Sequence, residues 1–243
     1  LLWNLTRGRC FATDVTNASR TMLFNITTGT WDIELCERFG LNPAYLPEVK
    51  NSAAFFGELD EVFFGHRGIP VTGIAGDQQA ALFGQACFER GMVKNTYGTG
   101  CFVVINTGEE MTPAPEGLVT TIAWKIGPKP VYAVEGSIFS TGAAVQWLRD
   151  EMGLLETAGE SEEIAASVPD TGGLYFVPAF VGLGSPYWDA SARGTMIGIT
   201  RGTGRAHVVR AVLESIAFQT RDVLDAAGKD GGVDIRELRA DGG

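Results

Sequence analysis

The stretch IPVTGIAGDQQAALFGQ, residues 69–85, joins two apolar segments through Gly-Ile-Ala-Gly and a carboxylate. Its first part predicts a buried strand over residues 69–75, and its second part predicts a helix over residues 77–88. An aspartate at a helix start accepts a hydrogen bond from a free backbone N–H group, so Asp77 is explained as an ordinary cap. A carboxylate placed there for chemistry is the alternative, and these residues alone leave both explanations open.

The composition predicts a globular protein without a membrane or nucleic-acid partner. The chain has 243 residues, of which 45% are hydrophobic, enough for one large or two modest domains. It contains no apolar run of membrane-spanning length. The net charge is −10 and lysine and arginine do not cluster, which argues against nucleic acid or an anionic membrane as the main partner.

The cysteines predict a reducing compartment. Four cysteines lie far apart and only two histidines are present, so neither a disulfide framework nor a zinc site is indicated. We therefore expect reduced thiols in a cytoplasmic protein. The chain begins at LLWNLT, typical of the tail of a helix, and ends at IRELRADGG, typical of a strand entering a glycine turn. We expect a fragment of a longer protein.

The order of predicted elements indicates an α/β fold. A short helix is predicted over residues 31–39. Beyond residue 90, the runs MVKNTYG, CFVVINTG, LVTTIAWKI and PVYAVEG predict three or four antiparallel strands in a meander. A helix over 140–152, a strand over 174–181, a helix over 203–227 and a strand over 235–240 follow. This order is typical of a ribonuclease H-like or actin-like subdomain, preceded by the end of another domain, with a hinge near residues 89–91.

Glycine turns supply candidate phosphate-binding backbone. Residues 97–101, Tyr-Gly-Thr-Gly-Cys, combine a tight turn with a hydroxyl donor, although for so short a piece alone a plain hairpin turn is the favoured explanation. No Walker motif occurs in the sequence. The small residues 140–144 permit a ligand against a helix N-terminus, or else close packing of that helix on the sheet. The Asp-Gly-Gly end at 241–243 follows a strand, where open sheets bind ligands.

Three stretches together resemble the glycerol-kinase branch of the FGGY carbohydrate kinase family. They are GIAGDQQAALFGQ, NTYGTGCFVVINTG and ARGTMIGITRGTGRAHVVRAVLESIAFQ, and TDVTNASRTMLFNI at residues 13–26 is also typical of that branch. The resemblance covers nearly the whole chain and is weakest over residues 41–68. It implies two ribonuclease H-like domains around a cleft, with residues 1–88 ending the first and 89–243 forming most of the second.

The resemblance implies phosphorylation of glycerol by ATP to give glycerol 3-phosphate. Asp77 matches the catalytic aspartate of the family, which acts as a general base on the attacking hydroxyl. By the same resemblance Gln78 binds a glycerol hydroxyl and Phe102 forms an apolar wall against the substrate carbons.

The resemblance also implies a nucleotide site. Thr99 and Gly100 would contact the phosphates, Gly142 and Gln146 would lie near the ribose and base, and the glycines at the chain end, Gly242 and Gly243, would lie against the nucleotide. Mg²⁺ would accompany ATP, with no protein ligand assigned.

Several family features are absent or altered. The N-terminal phosphate loop and part of the glycerol pocket would precede Leu1, so we expect the 243-residue chain alone to be inactive. His66-Arg67-Gly68 stands where some relatives carry an inhibitor-binding Gly-Thr-Arg, which puts that regulation in doubt. His207 and Glu214 match the family signature, and we expect structural roles for both.

A homo-oligomer is usual for the family, but the sequence shows no interface. Two alternatives to a glycerol kinase stay open: another sugar or polyol kinase of the family, and a non-enzymatic actin-like nucleotide-binding module.

Overall fold

The computed structural model describes residues 1–242, which divide into two compact units. The first unit comprises residues 1–90, 106–112 and 120–133, and the second comprises 91–105, 113–119 and 134 onward. The domain boundary expected between residues 88 and 89 stays a prediction. Within residues 1–242, no helix is both long and apolar enough to span a bilayer.

The first unit is built from short elements. They are α1 (Leu2–Leu5), β1 (Ala12–Asp14), α2 (Val15–Ala18), β2 (Phe24–Asn25), β3 (Thr30–Trp31), α3 (Ile33–Arg38), a 3₁₀ turn (Pro43–Tyr45), β4 (Glu48–Lys50), α4 (Glu61–Phe64) and α5 (Asp77–Gly84). Aspartates begin three of the helices, because the carboxylates of Asp14, Asp32 and Asp60 accept hydrogen bonds from first-turn N–H groups. The expected helix over 31–39 is present as α3.

The prediction of a regular strand over residues 69–75 is wrong. This segment makes only two isolated bridges, Ala53 with Gly73 and Glu58 with Pro70. Proline has no N–H group to donate, and Gly57, with φ of 116°, interrupts the opposite segment. The segment is extended but irregular, and it is partly exposed rather than buried.

The helix that follows is shorter than predicted and has a different cap. Gly76 is the N-cap, so Asp77 is the first helical residue and its side chain makes no capping hydrogen bond. The explanation of Asp77 as an ordinary cap is therefore wrong. The helix ends at Gly84 rather than 88, because Ala86 adopts a φ of 54° and the Cys87 N–H group donates back to the Leu82 carbonyl at 3.1 Å.

The main sheet has five strands in the order β11-β5-β6-β8-β7. They are β5 (Met92–Tyr97), β6 (Cys101–Gly108), β7 (Val119–Trp124), β8 (Val131–Ile138) and β11 (Glu237–Gly242). The antiparallel β5–β6 hairpin was predicted correctly. The simple meander is wrong, because β8 lies between β6 and β7. Residues 109–118 form a long connection after β6, so β7 is free to lie on the far side of β8.

The second unit also contains three helices, α6 (Gly142–Asp150), α7 (Glu160–Ala166) and α8 (Arg205–Asp225), and the hairpin strands β9 (Tyr175–Val177) and β10 (Thr195–Ile197). A π-helical turn, Ala226–Asp230, follows α8. Helix α8 buries Val212 and Val223 as its periodicity predicts, whereas Val209 is buried more deeply than Val208. Strand β9 was expected to be wholly apolar and extend to 181, but it is shorter and its burial alternates around Phe176.

Candidate functional site

The carboxylate of Asp77 is exposed at the first turn of α5. The Gln78 amide lies beside it, with Nε2 donating to Asp77 Oδ2 at 3.2 Å. The positive end of the helix dipole favours a carboxylate there. The first unit thus presents a restrained anionic oxygen that can accept a proton from a bound hydroxyl group. Both residues were predicted from the sequence, and they lie together.

The third residue of this run, Gln79, has a different environment. It is buried, and its Nε2 donates to the Thr121 hydroxyl at 3.4 Å, so it fixes α5 against β7. Beside it lies an apolar cleft of about 400 Å³, whose lining includes Ala80, Phe83 and Trp124. Phe83 and Trp124 meet edge to face at 5.3 Å. The cleft belongs to the first unit alone.

The glycine hairpin between β5 and β6 is fastened to the start of α6. The Gly98 carbonyl accepts from Gly142 N at 3.0 Å and from Thr141 Oγ1 at 3.0 Å. The Thr99 carbonyl accepts from Thr141 N at 3.0 Å and from Ala143 N at 3.1 Å. In a trans peptide the N–H of the next residue points opposite to the carbonyl. The N–H groups of Thr99 and Gly100 therefore point away from α6.

The glycines at 100 and 142 are required by backbone packing. A Cβ on Gly142 would lie 2.5 Å from the Gly98 carbonyl oxygen, and a Cβ on Gly100 would overlap the Ile138 carbonyl. Of the two explanations for the small residues 140–144, the structure supports close packing. The first N–H groups of α6 donate to the hairpin rather than to a ligand. Thr141 is the N-cap of α6, and its hydroxyl donates to the hairpin.

Phe102 follows the hairpin on β6, opposite Thr96 of β5, and its side chain is 40% exposed. Its carbonyl accepts a hydrogen bond from Lys94 Nζ at 3.2 Å, and the same ammonium group donates to Thr96 Oγ1 at 2.8 Å. Lys94 is fully buried. Sequence reasoning missed this lysine, because nothing in the strand pattern MVKNTY distinguishes a buried amine from one on a solvated face.

The remaining nucleotide residues lie on separate elements. Gln146 is exposed on α6, one turn after Gly142. Gly242 ends β11 with a φ of 99°, and a Cβ there would overlap the Tyr97 carbonyl. Gly243 lies outside the described residues. Asp77 and Gln78 belong to the first unit, whereas the other described site residues belong to the second, so their meeting in one site stays a prediction.

Charged groups elsewhere have structural partners. The Arg67 guanidinium donates to Glu61 and holds the pKa of that carboxyl below its usual value. His207 Nδ1 accepts from Gly204 N at 3.1 Å, and Glu214 pairs with Arg210 at 2.8 Å, which supports the structural roles expected for His207 and Glu214. Over residues 1–242, no group of three or more acidic, histidine or cysteine side chains is arranged to hold a metal ion.

Comparison with known proteins gives consistent matches over the whole chain. Residues 1–84 match the N-terminal domain, and residues 93–243 the C-terminal domain, of the FGGY family of carbohydrate kinases. A glycerol kinase of Symbiobacterium thermophilum is 59% identical over 243 residues, covering 100% of this chain and 49% of the relative. Glycerol kinase 2 of Thermotoga maritima is also 59% identical, with the same coverage. The chain spans about half the length of the curated relatives it matches.

Solved structures agree with the predicted fold class. The crystal structure of Plasmodium falciparum glycerol kinase with ADP matches with a TM-score of 0.92 at 45% identity, covering 100% of this chain and 48% of that one. A ligand-bound xylulose kinase from Lactobacillus acidophilus matches with a TM-score of 0.85 at 23% identity, covering 100% of this chain and 49% of its own, and shows the fold alone. The predicted α/β, actin-like fold is confirmed.

Proposed function

The chain belongs to the FGGY family of carbohydrate kinases, and we propose that the whole protein transfers a phosphoryl group from ATP to glycerol, forming glycerol 3-phosphate. The observation that carries this proposal is the 59% identity to a glycerol kinase along all 243 residues. The likeness to a glycerol kinase structure with ADP supports ATP as the donor. Phosphoryl transfer depends on positioning and charge stabilisation, which the site residues offer.

Asp77 is the general base in this mechanism. It takes the proton from the glycerol hydroxyl as that oxygen attacks the terminal phosphorus of ATP. Its exposure at the start of α5 supports the role, and the Gln78 amide, 3.2 Å from Oδ2, restrains the carboxylate. Gln78 binds a glycerol hydroxyl, and the half-exposed ring of Phe102 contacts the glycerol carbons.

The hairpin binds the phosphates. The direction of the Thr99 and Gly100 N–H groups, away from α6, supports this role, because backbone donors aimed at one point suit an anion. Gly142 and Gln146 lie near the ribose and base, with Gly142 also holding the hairpin in place, and Gly242 lies against the nucleotide. Mg²⁺ bound to the ATP phosphates would supply charge neutralisation, and no protein ligand is assigned to it.

The proposal also covers the cellular location and the partners of the protein. A cytoplasmic location fits the four free cysteines and the ATP requirement. A homo-oligomer of the whole protein is proposed on the resemblance alone. Neither nucleic acid nor membrane is proposed as a partner, because the net charge is −10.

The experiment is a kinetic comparison of full-length wild type and Asp77→Asn, with glycerol and MgATP. We expect kcat to fall by about 10²–10⁴-fold while ATP affinity changes little, because a general base acts in the transition state. Asp234→Asn is the control, since the Asp234 side chain is 88% exposed. Unchanged kcat in Asp77→Asn would refute the mechanism and favour a non-enzymatic nucleotide-binding module.

A substrate panel separates glycerol from other polyols and sugars. Glycerol should give the highest kcat/KM, and xylulose or gluconate the lowest. A clear preference for a sugar would move the protein to another branch of its family, with Asp77 keeping the same role.

A further inference from the structure

The segment DVTNAS, residues 14–19, contains a fully buried carboxylate that the proposed mechanism does not use. Asp14 is 0% exposed. Its two oxygens accept five hydrogen bonds, from Thr16 N at 3.0 Å, Thr16 Oγ1 at 2.9 Å, Asn17 N at 3.1 Å, Asn17 Nδ2 at 2.7 Å and Ser52 Oγ at 2.8 Å. A cap needs one or two of these bonds. Of the other three, two come from the Thr16 and Asn17 side chains within the helix that Asp14 begins, and one comes from Ser52, outside that helix.

The first connection leads to the start of α5. Because the Thr16 hydroxyl gives its proton to Asp14, its oxygen lone pairs remain available, and this oxygen accepts from Gly76 N at 2.8 Å. The Gly76 carbonyl in turn accepts from Ala80 N at 2.7 Å, the first hydrogen bond of α5. The residue immediately before Asp77 is therefore hydrogen-bonded through both its N–H group and its carbonyl group.

The second connection leads to the same segment two residues earlier. Ser52 donates its hydroxyl proton to Asp14, and its carbonyl accepts from Ile74 N at 3.0 Å. The hydroxyl oxygen of Ser52 also accepts from Lys125 N at 3.2 Å. Ile74 and Gly76 are thus hydrogen-bonded to Ser52 and Thr16, respectively. Asp14 orients the hydroxyl groups of both Ser52 and Thr16.

Gly76 fits this arrangement because it lacks a side chain. A Cβ at this position would lie 2.6 Å from Gln79 Oε1 and 3.8 Å from Thr16 Oγ1. With glycine at this position, the side chains of Thr16 and Gln79 can both approach residue 76 closely. The start of α5 is consequently fixed by buried polar contacts rather than by a regular strand, which this segment lacks.

We propose that Asp14 and Thr16 are positioning residues for the Asp77 carboxylate. The inference rests on the proposed function, in which Asp77 is the base. Thr16 holds the N–H group of Gly76, the residue before Asp77, and Asp14 fixes the orientation of the Thr16 hydroxyl. A displacement of about 1 Å at a reacting group can cost about 10²-fold in rate, so loss of the Gly76 hydrogen bond should affect kcat.

The test uses the full-length protein with Thr16→Val, Thr16→Ser and the control Thr21→Val. Valine keeps the shape of threonine and removes both hydrogen bonds, whereas serine keeps the hydroxyl group. The Thr21 hydroxyl also donates and accepts locally, to Ala18 O at 2.7 Å and from Leu23 N at 3.2 Å, but it makes no contact with α5.

We expect Thr16→Val to lower kcat by about 10–10²-fold with KM for ATP within about twofold, and Thr16→Ser to restore most of kcat. Thr21→Val should keep kcat. A purely structural role predicts thermal destabilisation of Thr16→Val with unchanged kcat below its midpoint, and that result would overturn the inference.

A measurement on the wild type keeps the inference testable if Thr16→Val does not fold. Hydrogen exchange should show the Gly76 amide strongly protected although it precedes the helix. Exchange as fast as that of an exposed loop amide such as Gly68 would refute the Thr16 contact. If Asp77→Asn retains activity, the proposed function fails instead, whatever the Thr16 variants show.

Discussion

Substitution of Gly142 by alanine tests the close contact between α6 and the glycine hairpin. The new Cβ would lie 2.5 Å from the Gly98 carbonyl oxygen, whereas ordinary contact begins at 3.4 Å. The carbonyl would therefore have to move by the difference, 0.9 Å. That movement weakens two hydrogen bonds at 3.0 Å, from Gly142 N and Thr141 Oγ1.

The expected magnitude follows from these contacts. Overpacking costs about 1–3 kcal/mol, and each weakened hydrogen bond costs up to about 1 kcal/mol. Alanine is a better helix former than glycine by up to about 1 kcal/mol, which offsets part of the loss. We expect a net destabilisation of about 2–3 kcal/mol, and hence a thermal midpoint lower by about 5–10 °C for the transition of a unit of about 150–250 residues that contains α6 and the hairpin.

The assay is calorimetric unfolding of full-length wild type, Gly142→Ala and Gly84→Ala. Gly84 ends α5, and a Cβ at this position would meet no atom within 4 Å, so its substitution should leave the midpoint unchanged or raise it. ADP affinity should fall only in Gly142→Ala, because the hairpin moves. A midpoint for Gly142→Ala at or above the wild-type value would refute the packing argument.

Two further predictions concern ionisable groups. The Arg9 guanidinium, which donates to Asp60 at 2.9 Å, holds the pKa of that carboxyl below its ordinary 3.8. Because the pKa of Asp60 is lower in the folded state, its carboxylate stabilises the fold at pH values above 3.8, and this stabilisation is lost as the pH falls through the folded-state pKa. The thermal midpoints of wild type and Asp60→Asn should therefore differ at neutral pH and converge in acid. Burial raises the pKa of the Cys101 thiol. Iodoacetamide at mildly alkaline pH should therefore modify the partly exposed Cys10 before Cys101, as read by peptide mass spectrometry, and early labelling of Cys101 would contradict its burial.

The elements that were predicted correctly from the sequence are those whose structure depends mainly on residues close together in the chain. The β5–β6 hairpin needed only two strand-like runs around Gly-Thr-Gly, and α8 needed only a long helical periodicity. Strand order depended on tertiary pairing instead. The sequence could not show that β8 lies between β6 and β7, because the connection after β6 is long enough to permit either arrangement.

The end of α5 is a second feature that the sequence did not predict. A glycine normally takes the left-handed position after a helix, and here Ala86 does so with φ of 54°. The apolar residues after Gly84 continued the helical pattern in the sequence, so the predicted helix ran on to residue 88. The actual stop depends on a backbone conformation that alanine rarely adopts.

The residues of the candidate site also divide into those that the sequence predicted and those that only the structure revealed. Asp77, Gln78 and the hairpin were predicted because each lies in a stretch that resembles the family. Lys94, Thr16 and Asp14 were not, although each lies one or two hydrogen bonds from those stretches. Their contribution depends on burial, and burial of a polar group is tolerated only when partners from other segments satisfy it.

The buried polar residues therefore explain how an irregular segment can place a reactive group. A regular strand fixes its end through a ladder of backbone bonds, but residues 69–75 make only isolated bridges. Hydrogen bonds to Thr16 and Ser52 take over that function, and the Asp14 carboxylate orients both hydroxyl groups. With asparagine in place of Asp14, an NH₂ group would replace one of the two oxygens that accept hydrogen bonds. Because this NH₂ group can only donate, the hydrogen bond from one hydroxyl group would be lost. Even this isosteric change should loosen the start of α5.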